Sequence, residues 1–138
     1  MESSPNVAER IAALRAAYAA FNCGDMDAAV ESLDPDIEWS EPMQFPGGGI
    51  YHGRDGAKRY LMQSRDAWAE VISEPEEFTP VGDRIVVFVH ARVRAKGSDE
   101  WQEVRLADVY WFRDSKAVQM RAFTDRQEAL RWAGAEDH

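Results

Sequence analysis

Two acidic residues of this sequence stand in surroundings that are unusual for a carboxylate. Glu41 ends the short run IEWS and directly precedes Pro42, and Asp108 lies between Leu106 and Tyr110 in the run WQEVRLADVYWF. A carboxyl group in an apolar setting must either bind a cation or keep its proton. Two such groups in one site can act as a general acid and a general base, which is the chemistry of proton transfer.

Each acid also has a simpler interpretation. A glutamate before a proline is often a solvated loop residue, and Glu41 fits that description. Asp108 can instead form a structural ion pair with one of the arginines on neighbouring predicted strands, which are Arg92, Arg105 and Arg121. Only the positions of the two carboxyl groups in the fold separate these interpretations.

The first half of the chain has the spacing of helices. Apolar residues recur every three or four positions over residues 5–22, which predicts an amphipathic helix. The same reasoning predicts a short second helix that begins at Asp25, carries Leu33 on its apolar side and ends at Asp34-Pro35. A strand over Ile37–Ser40 and a loop over residues 43–53 follow. A third helix is predicted from near Asp55 to a point before Pro75, with Trp68 and Val71 on its buried side.

The second half changes to the alternating spacing of strands. The predicted strands cover residues 76–81, 84–95, 101–112 and 117–124, and a short helix follows that ends near Trp132. Helices followed by paired strands are typical of an α+β domain with the helices on one face of an antiparallel sheet. We expect a single domain over residues 1–138. Because the last strands are apolar on both faces, we also expect a homodimer through the outer face of the sheet.

Composition excludes several classes of function. The formal net charge is −9 and the basic residues form no cluster, which argues against a nucleic-acid partner. Cys23 is the only cysteine, so an internal disulfide is impossible. The sequence shows neither a secretory signal nor a long apolar segment, which predicts no membrane span and a cytoplasmic location. His52, His90 and His138 lack metal-ligand spacing, so we predict no metal and no cofactor.

Three segments resemble the nuclear transport factor 2 superfold, in particular its SnoaL-like and ketosteroid isomerase-like branch. They are FNCGDMDAAVESLDPDIEWSEP, YHGRDGAKRYL and ADVYWFRDSKAVQMRAFTDRQEAL. The resemblance implies a strongly curved antiparallel sheet that forms a cone-shaped pocket with the helices. It also implies acid–base chemistry without a cofactor, of the isomerase or cyclase type, on a small apolar molecule that carries a carbonyl group.

The resemblance implies roles for both acids. In ketosteroid isomerases the acid before the first-strand proline is the general base, and Glu41 in WSEP matches that position. Asp108 in DVYWF matches the second acid, which keeps its proton and donates a hydrogen bond to the enolate oxygen. The glycines of PGGG then keep the adjoining loop slender where a ligand must pass.

The sequence departs from the family's pattern in two places. The isomerase tyrosine precedes the glycine after the first helix by seven residues, whereas Tyr18 precedes Gly24 by six. One residue turns a helix by about 100°, so Tyr18 is expected to point away from the isomerase position and to leave the oxyanion site incomplete. Related epoxide hydrolases place an arginine two residues from an aspartate, but Arg105 and Asp108 are three apart and predicted on opposite faces.

Further site residues are candidates by type and position. His90 is a candidate acid–base group if its face of the strand is the concave one; otherwise it is a sheet histidine near the dimer interface. The predicted substrate-binding residues are Tyr18, Trp39, Tyr51, His52, Tyr60, Tyr110 and Met120. Two other functions stay open: a protein that binds an apolar metabolite without catalysis, and an assembly role for the dimer surface.

Overall fold

The structure is a computed structural model that describes residues 4–45 and 47–134, with side chains from Val7 onward. In chain order its elements are α1 (Ser4–Cys23), α2 (Met26–Ala29), β1 (Leu33–Glu41), β2 (Gly49–His52), α3 (Gly53–Ala67), β3 (Glu70–Val81), β4 (Arg84–Arg94), β5 (Trp101–Arg113), β6 (Lys116–Phe123) and α4 (Arg126–Ala133). The α+β class expected from the sequence is confirmed.

The six strands form one curled sheet in the order β2-β1-β6-β5-β4-β3. All neighbouring strands are antiparallel except β1 and β6, which run parallel. Two parallel strands cannot be joined by a tight turn and need a long connection. Here the parallel pair joins β1, from the first half of the chain, to β6, from the second half. The pairing brings Trp39 of β1 beside Met120 of β6, which lies beside Tyr110 of β5.

The inner face of the sheet is covered by α1 and α3. Leu14 and Tyr18 of α1 and Ala57 of α3 pack with inward residues of the strands, among them Ile37 and Val87, in the largest buried cluster. Asn22 fixes the end of α1 to β3, since its amide donates to the Ser73 carbonyl and accepts from the Ser73 N–H, both at 2.8 Å.

The terminal helix α4 covers part of the outer face. Ala129 and Ala133 of this helix pack on Val86, Ala107 and Val109 from β4 and β5. These are the residues that make the outer face of the last strands apolar. The covering helix therefore accounts within one chain for much of the surface from which a homodimer was inferred, and the dimer itself stays a prediction.

Strand β1 begins earlier than the sequence predicted. The second helix is a single turn, Met26–Ala29, that Asp25 caps by accepting from the Ala28 N–H. Leu33, which we placed on that helix, is instead the first residue of β1 and is fully buried. An apolar residue at helical spacing fits both assignments, and burial against the sheet decides between them.

The third helix ends earlier and the next strand is longer than predicted. Helix α3 stops at Ala67, so Trp68 is its C-cap and Val71 lies in β3. Pairing with β4 extends β3 back to Glu70, opposite Arg94. The four-residue strand β2 was also missed, because it lies in a glycine-rich segment and depends on pairing with β1. No helix in the described ranges is long and apolar enough to cross a membrane.

Candidate active site

A cavity of about 500 Å³ lies between the inner face of the sheet and the helices α1 to α3. Most of its wall is apolar, with Phe21, Leu61, Val71 and Val93 among the lining residues. Glu41 and Asp108, which are 67 positions apart in the chain, both line it. The fold therefore gathers the two acids in one largely apolar space, as a shared acid–base site requires.

Asp108 ends a chain of hydroxyl hydrogen bonds. The Tyr110 hydroxyl donates to the Tyr18 hydroxyl at 3.0 Å, and the Tyr18 hydroxyl donates to Asp108 Oδ2 at 2.5 Å. Both tyrosines are buried, and their rings meet edge to face. Burial and the charge of Asp108 raise the pKa of both hydroxyls, so both remain protonated donors.

Glu41 is held by a neighbour on its own strand. Trp39 lies two residues earlier, so both side chains point to the same face of β1. The indole Nε1 donates to Glu41 Oε2 at 2.8 Å, and the Tyr60 hydroxyl of α3 also hydrogen-bonds this carboxyl group. The ring of Trp39 meets Tyr110 edge to face at 6.3 Å, which connects the two ends of the site.

Burial changes the protonation of both acids. Burial raises the pKa of Glu41 to about 8, the charge of Asp108 adds to the rise, and the hydrogen bonds from Trp39 and Tyr60 oppose it. Burial likewise raises the pKa of Asp108 to about 6, against the hydrogen bond from Tyr18. Near neutral pH the two acids therefore hold about one proton between them.

The structure brings six of the ten predicted site residues to the cavity. These are Glu41, Asp108, Tyr18, Trp39, Tyr60 and Tyr110. Their chemical roles stay predictions, but their shared location does not depend on those roles.

The expected orientation of Tyr18 was wrong. We expected the one-residue offset from Gly24 to turn its side chain away from the site, yet its hydroxyl contacts Asp108 directly. The direction of a helical side chain is set by the face that the helix packs on the sheet, and a single spacing to the terminal glycine does not fix that face. The hydroxyl that was expected to point away is therefore in the site, where it donates to Asp108.

The ion-pair interpretation of Asp108 was also wrong for the described residues. Arg105 pairs with Glu76, and Arg92 lies 3.6 Å from Glu74, both on the other face of the sheet. Arg121 stacks on Phe123 and Trp132, also away from the cavity. Arg105 and Asp108 lie on opposite faces of β5, as the sequence predicted.

His90 is not part of this site. It lies on β4 between Val89 and Ala91, which face inward, so its own side chain points to the outer face. There its Nε2 is 2.9 Å from Glu103 Oε1, and its Nδ1 is 3.9 Å from Glu76 Oε2. The condition for a catalytic His90, a place on the concave face, is not met.

Three predicted substrate-binding residues also lie off the cavity. Tyr51 packs against Tyr60 and donates to the Gly47 carbonyl at 2.6 Å. His52 is exposed at the start of α3, and Met120 is fully buried within the core. His138 lies outside the described residues. Among those that are described, no cluster of histidine, cysteine and acidic side chains has the arrangement of a metal site.

The glycine-rich loop has a steric reason for its composition. Strand β1 ends at Glu41, and the chain turns back so that Gly49 pairs with Glu41 in β2. A Cβ atom at Gly48 would lie 2.1 Å from the Pro42 carbonyl oxygen, so a side chain there is excluded. Phe45 and Gly47 of this loop line the same cavity as Glu41, and the passage of a ligand along the loop stays a prediction.

Sequence reasoning missed several residues that line the cavity. Trp68 and Val71 were assigned to a longer helix, and Gln102 and Ser73 were not considered. The signal for Gln102 was its even spacing with Asp108 along one strand, which places both on the same face. No comparable signal marks Ser73, because its position depends on how β3 pairs with β4.

Comparison with known proteins agrees with this geometry. The profile of the SnoaL-like domain matches residues 14–120. The chain belongs to the SnoaL-like domain family. A search of curated proteins finds no significant match.

Solved structures similar to this SnoaL-like protein share its fold over nearly their whole length. TerC, co-crystallised with polyporic acid, is 26% identical, with a TM-score of 0.76 over 91% of this chain and 98% of TerC. An NTF2-like protein of unknown function from Burkholderia pseudomallei K96243 is 28% identical, with a TM-score of 0.76 over 89% and 95% of the chains. A putative polyketide cyclase from Sinorhizobium meliloti is 21% identical, with a TM-score of 0.67 over 83% and 93%, and shows the fold alone.

Proposed function

We propose that this protein is a small-molecule enzyme that transfers protons beside a carbonyl group of an apolar substrate, with an isomerase-like or cyclase-like outcome. The observation that supports this most is that Glu41 and Asp108 line one largely apolar cavity and both have raised pKa values. Carboxyl groups that titrate near the working pH are well matched to general acid–base catalysis.

The electrostatics favour roles opposite to those that the family resemblance implies. Because the pKa of Asp108 is near 6, this residue is largely ionised at neutral pH and is the proposed base. Glu41, with a pKa near 8, is largely protonated and is the proposed acid. In the proposed step the C–H bond beside the carbonyl breaks, its proton moves to Asp108, and the enolate oxygen accepts a hydrogen bond from the Glu41 carboxyl group.

One neighbouring donor supports the role of Asp108 as the base. The short hydrogen bond from Tyr18 stabilises the ionised form of Asp108, and Tyr110 orients Tyr18 in turn. Asp108 Oδ2 is the oxygen that Tyr18 occupies, so Oδ1 is the oxygen proposed to accept the proton. When the substrate carbon is reprotonated, at the same or at a second position, Asp108 returns a proton that can first exchange with solvent, and the site needs no added reactant.

The wall of the cavity indicates the type of substrate. Aromatic rings of Tyr18, Trp39, Tyr60 and Tyr110 surround the acids, and such rings favour flat, apolar molecules. TerC, a 26% identical protein with this fold, has been co-crystallised with a small organic molecule, polyporic acid. We propose a cytoplasmic homodimer as the working state, with no nucleic-acid partner, in keeping with the acidic chain and its single cysteine.

Proton abstraction can be measured before the natural substrate is known. The probe is 2-tetralone, an apolar bicyclic ketone, and the readout is the exchange of its α-protons for deuterium by NMR in D₂O. We expect the protein to accelerate exchange, and we expect Glu41→Gln and Asp108→Asn each to lower the accelerated rate by about 10²-fold or more. Glu38→Gln removes an exposed carboxylate from the same strand and is the matched control.

The same experiment separates catalysis from simple binding. A protein that only holds an apolar metabolite would bind 2-tetralone without changing its exchange rate. Exchange that is not accelerated, or that is equally fast in the Glu41, Asp108 and Glu38 variants, would contradict the proposed enzyme and favour the binding function.

A further inference from the structure

The cavity extends well beyond the two acids. Gln102, Val104, Leu106, Asp108 and Tyr110 alternate along β5, and all five line it. Asp108 and Gln102 are six residues apart, which places their Cα atoms about 20 Å apart along an extended strand. A substrate whose carbonyl group lies at the acids therefore has room for a second part that reaches toward Gln102.

Three elements meet at the Gln102 end. In the sheet Gln102 pairs with Val93, and Ser73 of β3 pairs with the next inward residue of β4, Ala91. Helix α3 reaches the same end, because the Ala69 N–H just beyond it donates to the carbonyl of Arg94 at 2.8 Å. Ser64, about one turn before the end of that helix, lines the cavity there.

The polar side chains at this end are available to a ligand. We call Ser64, Ser73 and Gln102 the tail subsite. The backbone of Ser73 is bound by Asn22, but none of the three side chains makes a hydrogen bond to another residue within the described part of the chain. All three can donate and accept hydrogen bonds, and none is charged.

The charges around the cavity all have the same sign. No lysine, arginine or histidine belongs to its described lining, whereas two acids do. Two arginines on elements that border the cavity bind other groups: Arg65 donates to the Phe21 carbonyl, and Arg94 pairs with Glu70 on the outer face. Gln102 is exposed, so this end of the cavity opens to solvent, and an anionic group placed there would meet two acids and no cation in the described lining.

We propose that the tail subsite binds an uncharged hydrogen-bonding group, such as a hydroxyl, at the far end of an elongated substrate, and that the cavity rejects substrates with an anionic tail. This inference rests on the proposed function for the position of the carbonyl group. It adds a second point of recognition, which decides between substrates that are equally apolar.

The proposal is tested by calorimetric titration with three 4-acetylbiphenyls that differ only at the 4′ position. The groups are hydroxymethyl, ethyl and carboxylate, which are similar in size and differ in polarity and charge. We expect the hydroxymethyl probe to bind most tightly and the carboxylate probe at least about threefold more weakly, because the described lining offers a carboxylate no cation and carries two acids.

Variants of Gln102 identify the group responsible. Gln102→Leu should weaken binding of the hydroxymethyl probe about two- to tenfold, the range for one neutral hydrogen bond, and leave the ethyl probe unchanged or tighter. Gln102→Arg should restore binding of the carboxylate probe by supplying a cation. Gln127→Leu changes an exposed glutamine on α4, which does not line the cavity, and is the control.

Several results would overturn the proposal. The first is that the unmodified protein binds the carboxylate probe as tightly as the hydroxymethyl probe. The second is that Gln102→Leu changes the affinities for the hydroxymethyl and ethyl probes equally. The third is that none of the probes shows saturable binding. These readouts need no turnover, so selective binding of the probes together with unaccelerated proton exchange would retain the tail subsite and reject the enzyme.

Discussion

The two carboxyl groups of the cavity are stabilised by different donors. Trp39 donates to Glu41, and Tyr18 donates to Asp108. A hydrogen bond to a carboxylate favours its ionised form, so each donor lowers the pKa of the acid that it contacts. Removing one donor should therefore change the titration of one acid more than that of the other.

The pH dependence of proton exchange follows from this difference. The rate requires ionised Asp108 and protonated Glu41, so it should rise as the pH passes about 6 and fall as it passes about 8. Trp39→Phe removes a bond that lowers the pKa of Glu41, so the falling limb should move to higher pH. Tyr18→Phe should instead move the rising limb to higher pH, and a rate–pH profile of 2-tetralone exchange for each variant checks both shifts.

The raised pKa of Glu41 also predicts a change in stability with pH. Burial raises this pKa from 4.5 to about 8, so between these values the folded protein binds more protons than the unfolded chain. The free energy of unfolding therefore contains a contribution that is fully present below pH 4.5 and is lost as the pH rises through about 8.

Glu41→Gln removes this contribution, because glutamine does not titrate. Thermal unfolding should show the variant gaining melting temperature relative to the unmodified protein as the pH rises from 5 to 9. Glu38→Gln, which alters an exposed glutamate on the same strand, should show no such gain. A constant difference between Glu41→Gln and the unmodified protein over this range would mean that the Glu41 carboxyl group is not buried as described.

Residue types and spacing were enough to identify the two acids but not all of their neighbours. Asp108 stood out as a charged residue in an apolar run, and Glu41 as the acid before the first-strand proline, the position that the family resemblance marks. The hydrogen bond from Tyr18 to Asp108 could not be predicted, because the two residues are 90 positions apart and their contact depends on how α1 packs on the sheet. His90 was wrongly included among the candidate catalytic residues for the same reason, because alternation shows that a strand has two faces but not which face is concave.

At the level of elements, the cavity depends on how α1 is held over the sheet. Asn22 makes two hydrogen bonds of 2.8 Å to the backbone of Ser73, one as donor and one as acceptor. This amide fixes the C-terminal end of α1 to β3 beside Phe21, which lines the cavity.

Asn22→Ala should lower the free energy of unfolding by about 2 kcal/mol, because it leaves two partly buried backbone groups without partners. Chemical denaturation measures this change. Cys23→Ala alters the next, exposed residue and should have little effect. Equal stabilities for the Asn22 and Cys23 variants would show that the two hydrogen bonds do not hold the helix.

The strands of the second half were predicted more accurately than the elements between Asp25 and Glu70. Strands β4, β5 and β6 form by local hairpins with alternating residues, so their extent follows from the sequence itself. Strands β1 and β2 depend on pairing with distant or glycine-rich segments, and the end of α3 depends on β3 pairing back to Glu70. Local spacing contains no information about those partners.

At the level of the whole molecule, the outer face of the sheet has two parts. Helix α4 covers the apolar part, and the remainder carries ion pairs such as Arg92 with Glu74 and His90 with Glu103. Trp101, which is 44% exposed, lies at the end of this charged part. A homodimer through this face would therefore be polar and sensitive to salt.

We expect sedimentation equilibrium to show a dimer that weakens as the salt concentration rises. Trp101→Glu should weaken it, because it replaces an exposed aromatic side chain of the predicted interface with a charge. Met43→Glu alters an exposed apolar residue in the loop after β1 and is the control. A protein that sediments as a monomer at low salt would remove the predicted dimer and leave the cavity unaffected.

The most direct test of the acid–base site is a pH titration of the side-chain carboxyl carbons of Glu41 and Asp108 by ¹³C NMR, with Glu41→Gln and Asp108→Asn to assign the signals. We predict one transition near pH 8 and one near pH 6, with the Glu41 signal changing mainly in the upper one. Substitution of Asp108 should move the Glu41 transition to lower pH, since it removes a neighbouring charge. Two independent transitions below pH 5 would contradict a shared, desolvated pair and with it the proposed catalysis.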